Sequence, residues 1–272
     1  IRDYITYMLE EKVQFEGHRY KPKSEEKVGL SPATVNHRLK TWRAFFRFLT
    51  EEGVITENPF KHIKKVEENE YGIEILTVDE LRALLNAPDQ RRYAGFRDYV
   101  LMTFLLDTFT RITEALSLRE GDIDIDSCTV KISADTSKSR ADRYIPIEKH
   151  TLKLLLELIR ENDDFDTDYV FLSNYGEQLT PGQFRHRLKE HAKKAGIKKR
   201  VHPHVFRHTG ATMFLESGGD LRHLQKLLGH KDLRMVLRYT HLSKRSLSEQ
   251  HRKHTPLNLI YGNLSKERKV LR

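Results

Sequence analysis

Apolar residues recur along this chain mostly at helical spacing, and proline, glycine or charge marks the breaks. Ile1, Tyr4, Ile5, Met8 and Leu9 share one helical face, which predicts a helix over 1–16. A polar, lysine-rich loop is expected over 17–30. Ser31-Pro32 then supplies an N-cap and a first-turn proline, and Val35, Leu39, Trp42, Phe46 and Leu49 form the stripe of a helix ending near Gly53. No period survives over 61–76, which reads as a hinge. Thr77 and Glu80 match a capping box opening the next helix, and the apolar run from Phe96 to Asp107 predicts a buried one. From Asp122 to Ser133 the pattern changes to alternation with β-branched residues, predicting a strand. SADTSKSRAD is the turn after it and RYIPI the returning strand. Thr151 to Asn162 is amphipathic, YVFLS reads as a short strand, and Thr180-Pro181 opens a helix that stops at Gly196. Phe184, Leu188 and Ala192 form that helix's inner stripe.

The 272 residues allow one large or two modest domains, and 38% hydrophobic against 32% charged residues is a globular balance. The net charge of +9 is uneven: residues 181–254 hold 18 Lys+Arg against 5 Asp+Glu, or +13, leaving −4 elsewhere. Such a concentration suits a polyanion, nucleic acid before an acidic membrane surface. No 18-residue apolar run occurs, so a soluble, cytoplasmic protein is expected, nucleoid-associated when on DNA, without a membrane partner. The lone Cys128 excludes an internal disulfide, and no Cys/His metal spacing, Walker loop or dinucleotide glycine pattern is present. The sequence opens at Ile1, inside what reads as a helix, so further N-terminal residues are expected to precede it.

Candidate chemistry concentrates in residues 201–242. His204 and Arg207 stand three apart, on one helical face. Gly218-Gly219 breaks that helix, and a second apolar stretch ends at Gly229-His230, where the glycine lets backbone approach a ligand. Tyr239 comes nine residues later. Two histidines, an arginine and a phenol among many cations are the groups needed to hold a phosphate beside a nucleophile. Upstream, Arg111 lies at the edge of an apolar helix and precedes Glu114 by three, so Glu114 can orient it. Lys138, Arg140 and Arg143 are the cations of the hairpin. Two further basic groups stand out: Lys40, Arg43 and Arg47 on one helix face, and Arg185, Arg187, Lys189, Lys193, Lys194, Lys198, Lys199 and Arg200 just ahead of His204.

The sequence HPHVFRH, then LLGH, then RYTH resembles the C-terminal signature of the tyrosine recombinases, the phage integrase family. TFTRITEAL resembles that family's first catalytic-arginine motif, with Phe109 where the family usually has glycine, which puts a close backbone approach to phosphate in question. The family's catalytic lysine lies on the hairpin eight residues before a proline, which selects Lys138 before Pro146. SPATVNHRLKTWRAFFRFLTEEGVITENPF resembles the end of the family's helical core-binding domain. The resemblance implies an α+β fold, mostly α-helical with a small antiparallel sheet. Its parts are a core-binding domain at 1–65, a linker at 66–76, a catalytic domain at 77–254, and a tail at 255–272 exchanged between protomers.

The same resemblance implies a site-specific recombinase of double-stranded DNA, serving mobile-element integration or excision, or the resolution of DNA multimers. Tyr239 is expected to attack a phosphodiester and form a 3′-phosphotyrosine. Arg111 and Arg207 hold the non-bridging oxygens, His204 accepts the phenol proton, His230 donates to phosphate, and Lys138 protonates the leaving oxygen. The phosphotyrosine conserves bond energy, so neither ATP, metal nor another cofactor is expected. The expected partners are duplex DNA and other copies of the chain in a tetrameric synapse; an accessory DNA-bending or directionality protein is compatible with this scheme. Two other readings share some of these residues: a type IB topoisomerase that relaxes DNA, and a sequence-specific DNA-binding protein without strand exchange.

Overall fold

The computed structural model describes residues 1–16, 27–68, 74–135, 141–230 and 232–240, with 251–252, 255 and 257. The chain divides into two compact units, Ile1–Tyr71 and Gly72–Arg272.

In the first unit the opening helix is shorter than its periodicity predicts. Helix α1, Arg2–Thr6, passes into a π-helical turn, Tyr7–Glu11, and stops there. Lys12 turns extended, and Val13 forms an antiparallel bridge with Val28, which diverts the chain before residue 16. Helix α2, Pro32–Glu51, starts as expected, with the Ser31 side chain accepting from the Thr34 N–H. Met8, Val35, Leu39 and Phe60 make a small core. Trp42, Phe45 and Phe48 of α2 remain exposed. Arg43 donates to the carbonyl of Ile63, and Asn36 pairs with both backbone groups of Val66.

The second unit is built around helix α4, Tyr93–Thr108, buried on most sides. Before it, helix α3, Val78–Leu85, opens with the full Thr77–Glu80 capping box. The segment expected as linker is tied down at both ends. Val66 is held by Asn36 in the first unit, and Leu76 is fully buried in the second, its N–H donating to Thr209. After α4 come a short helix α5, Ile112–Leu116, and the strands β1, Ile123–Asp124, β2, Thr129–Ile132, and β3, Arg143–Pro146. They form one antiparallel sheet in the order β1-β2-β3, with Val130 paired to Ile145 and Ile123 to Val130. Residues 122–133 are therefore a tight hairpin rather than one strand. The Asp124 carboxylate accepts from the N–H groups of Asp126 and Ser127 and reverses the chain, and Cys128 takes φ 49°.

Helix α6, Lys149–Glu161, and helix α8, Pro203–Glu216, pack on α4, and helix α7, Pro181–Lys194, joins them through Phe184, Leu188 and Ala192. The YVFLS segment is buried but is not a strand. Tyr169 bridges to Arg119 and Leu172 to Gln178, two different neighbours, so no ladder extends. Helices α9, Leu221–Leu228, and α10, Arg234–Thr240, complete the unit and make a second core with Phe109, Ala211 and Tyr239. Among the described residues, no helix is long and apolar enough to cross a membrane, and no group of three or more His, Cys, Asp or Glu could hold a metal ion.

Candidate active site

Two helix ends converge on one arginine. Helix α4 stops at Thr108, and Phe109 takes the left-handed conformation, φ 53° and ψ 24°. Helix α9 stops at Leu228, and Gly229 does the same at φ 63° and ψ 37°. The carbonyls so released, Phe109 O and Leu228 O, each accept from Arg207 at 2.7 Å. A guanidinium at two helix C-termini is favoured by both macrodipoles and fills carbonyls that would otherwise lack partners. Gly229 takes a positive φ that favours glycine, and a Cβ there would crowd Arg143 Nη1 at 3.2 Å.

Phe109 settles what stands in for the family's glycine. The residue adopts the left-handed geometry that glycine supplies freely, and its ring stacks edge-on to Phe214, 6.0 Å away. Space for the ring comes from Gly210, where a Cβ would sit 2.6 Å from it.

Around Arg207 the other groups assemble. Glu114, with no side-chain exposure, accepts from the Arg111 N–H at 2.9 Å and from Arg111 Nη1 at 2.8 Å. It also accepts from Arg143 Nη2 at 2.6 Å. Burial alone would raise its carboxyl, but the Arg143 and Arg111 bonds outweigh that and hold it below its ordinary value. Two guanidiniums thus share one carboxylate, with Arg207 as a third within reach of its charge, and the cluster carries excess positive charge. That excess acts on its neighbours. Burial, then Arg111, pulls Arg207 down to about 10, still charged at neutral pH. Burial, then Arg207, Arg111 and Arg143, pushes His230 down to about 4. His204 is also lowered, by burial and then by Arg207, Arg111 and Arg185.

His230 Nε2 lies 2.9 Å from Arg207 Nη2. A guanidinium can only donate, so Nε2 accepts and the neutral ring carries its proton on Nδ1. That Nδ1 is buried without a hydrogen-bond partner among the described residues. Tyr239 is 3% exposed and close enough to Arg207 for an ionised phenol to act on it, so the phenol stands beside the same cluster.

The structure therefore gathers Arg111, Glu114, His204, Arg207, His230 and Tyr239. Lys138 and Arg140 lie outside the described residues. Two residues of the site were not selected by sequence reasoning. Arg143 counted only as a competitor of Lys138, yet it is 11% exposed and bonded to Glu114. His208 Nδ1 lies 3.0 Å from the Tyr239 hydroxyl; its position next to Arg207 in HPHVFRH was the only available signal.

Among the basic groups, Lys40, Arg47, Arg185, Lys189, Lys193, Lys194, Lys198 and Arg200 are exposed, with Arg47 beside Glu51 and Arg185 donating to Pro181 O. Arg43, Arg187, Lys194 and Lys199 have internal partners: Ile63 O, Asp98, Ala87 O, and Ile75 O with Glu80.

Comparison with known proteins shows the family to which the chain belongs. The sequence profile described as "Phage integrase family" matches residues 74–246. Tyrosine recombinase XerC of Bacillus pumilus is 34% identical over 255 residues, covering 90% of this chain and 82% of that protein. Tyrosine recombinase XerD of Listeria monocytogenes is 32% identical, covering 84% and 78%. Among solved structures, an integrase of transposon Tn1549 in complex with circular intermediate DNA superposes with a TM-score of 0.70 at 22% identity, covering 82% of this chain and 80% of that one. The XerH site-specific recombinase bound to a palindromic difH substrate gives 0.69 at 25%, covering 81% and 67%. A profile match over more than half the chain, and relatives above 30% identity along most of their own length, lead to one conclusion: this chain belongs to the phage integrase family, as a tyrosine-type site-specific recombinase.

Proposed function

We propose that Tyr239 is the nucleophile with which this recombinase cuts and rejoins duplex DNA, through a 3′-phosphotyrosine. The observation that carries this reading is the three-arginine cluster around Glu114 with Tyr239 beside it. A phosphodiester crossing that cluster gains negative charge on its non-bridging oxygens as it is attacked, and fixed guanidiniums stabilise that charge without having to reorganise. Arg111 and Arg207 bind those oxygens, and Arg143 keeps Glu114 neutralised so that Arg111 stays oriented. His204, lowered by burial and then by its cationic neighbours, lies against the phosphate as a proton carrier. His230 is the additional donor to the phosphate. Lys138, on the hairpin between β2 and β3, protonates the departing 5′-oxygen. The exposed Lys40, Arg47, Arg185, Lys189, Lys193, Lys198 and Arg200 contact DNA phosphates. Arg43, Arg187, Lys194 and Lys199 position the elements that carry them.

The tail 255–272 joins a neighbouring protomer in a synapse of several copies on DNA, with the core-binding domain at 1–65 and the catalytic domain at 77–254. Supporting this is an apolar cavity of about 860 Å³ beside the site, lined by Tyr144, Pro146, Phe214 and Leu227 among others.

Covalent trapping tests the nucleophile. On a nicked substrate whose cleaved end diffuses away, the wild type accumulates an SDS-stable protein–DNA adduct. Tyr239→Phe binds the same DNA and forms none, because the ring is kept and the attacking oxygen removed. An adduct at wild-type level from this variant removes Tyr239 from the role.

A further inference from the structure

Consecutive residues of α8 serve two different partners. Arg207 enters the cationic cluster, and His208, about 100° further round the helix, meets Tyr239. The His208 and Tyr239 rings are 5.6 Å apart at 43°, with Nδ1 3.0 Å from the hydroxyl. Phe109, Ala211, Leu224, Leu228 and Val236 enclose the rest of the phenol. The apolar wall fixes the ring, and His208 fixes the direction of its O–H bond.

A phenol has an ordinary pKa of about 10, so it must lose a proton as it attacks. The family resemblance implies His204 as the acceptor of that proton. In the structure His204 stays substantially exposed at the start of α8, where partial burial and then the charges of Arg207, Arg111 and Arg185 lower it. Among the described residues, the histidine in hydrogen-bond contact with the phenol is His208 instead.

Building on the proposed role of Tyr239, we propose that His208 is a catalytic residue of strand cleavage, its Nδ1 accepting the phenol proton. The Tyr239 O–H bond breaks and its proton passes to Nδ1. The phenolate electron pair forms the O–P bond while the P–O5′ bond breaks, and the 5′-oxygen leaves with a proton from Lys138. During rejoining the imidazolium returns its proton to the departing phenolate. The neutral ring must therefore carry its hydrogen on Nε2, leaving Nδ1 as acceptor. Since α8 also carries Arg207, one rigid helix sets the phosphate grip and the base in fixed register.

The test is single-turnover cleavage of a nicked substrate by wild type, H208A and H208N, with DNA affinity and melting temperature measured for each. H208A should cleave about 100-fold more slowly or worse at unchanged affinity. H208N should stay comparably slow, because an amide can bond the phenol but cannot take up its proton. Imidazole and its substituted forms, added to H208A, should restore cleavage in proportion to their basicity. A near-wild-type rate for H208N, equal rescue by imidazoles of different basicity, or faster cleavage by H208A would each overturn the assignment. These failures are distinct from failure of the Tyr239 reading, in which the wild type itself would form no adduct at Tyr239.

Discussion

Glu114 is the residue on which the site's electrostatics turn. It accepts from Arg111 and Arg143 without solvent access, so removing its charge leaves two guanidiniums facing each other and Arg207. Losing one partner of such a buried network costs about 3–5 kcal/mol. Glu114→Gln should therefore lower stability at pH 7 by several kcal/mol and slow cleavage by misplacing Arg111. The penalty should depend on pH. The folded carboxyl titrates below its ordinary 4.5, so its contribution is complete above that value and lost as pH falls through the lower, folded one. Denaturant unfolding of wild type and variant should show a gap that is constant from pH 6 to 8 and closes in acid; a gap independent of pH would contradict this. That Arg111, Glu114, His204, Arg207, His230 and Tyr239 would come together was legible in sequence, because their type, order and spacing suggested one chemistry. His208 and Arg143 were not. Their partners lie 31 and 29 residues away, through the packing of α8 on α10 and the reach of the Arg143 side chain from β3 to α5, and nothing local separates them from other basic residues.

At the scale of elements, the carrier of basic residues ahead of the site is held by a buried charge cluster. Asp98 of α4, with no side-chain exposure, accepts from Arg97, from Arg187 of α7 at 2.6 Å, and pairs with His191 at 2.8 Å. Burial raises its carboxyl and the His191 and Arg97 bonds lower it further than that, so it stays ionised. Asp98→Ala strands those cations, with an expected loss of about 3–5 kcal/mol and a loosened α7. Denaturant midpoints and amide exchange along α7 measure both; a loss under about 1 kcal/mol with α7 still protected would mean the cluster contributes little. The elements themselves were read well where local chemistry decides. Ser31-Pro32, Thr77 with Glu80, and Thr180-Pro181 open helices, and Gly196 and Gly229 end them. Reading failed where a side chain overrode the alternation, as Asp124 does in the β1–β2 turn. It failed again where burial imitated a strand, as at 169–173.

Over the whole molecule, charge and chemistry overlap: the +13 segment, 181–254, contains α7, His204, Arg207, His230 and Tyr239, while Arg111, Glu114 and Arg143 come from outside it. That overlap was visible in composition alone, whereas the Glu114 pivot beneath it needed the fold. Binding through such a surface brings phosphate to the cations, and the covalent intermediate keeps the energy for rejoining. The most direct measurement pairs two duplexes bearing the recognition site, in EDTA and without ATP, and sequences the joints. Recombinant strands joined at the cleaved position, formed by wild type and absent with Tyr239→Phe, are predicted. Relaxed or nicked DNA without exchanged strands, or exchange that persists without the Tyr239 hydroxyl, would contradict the account.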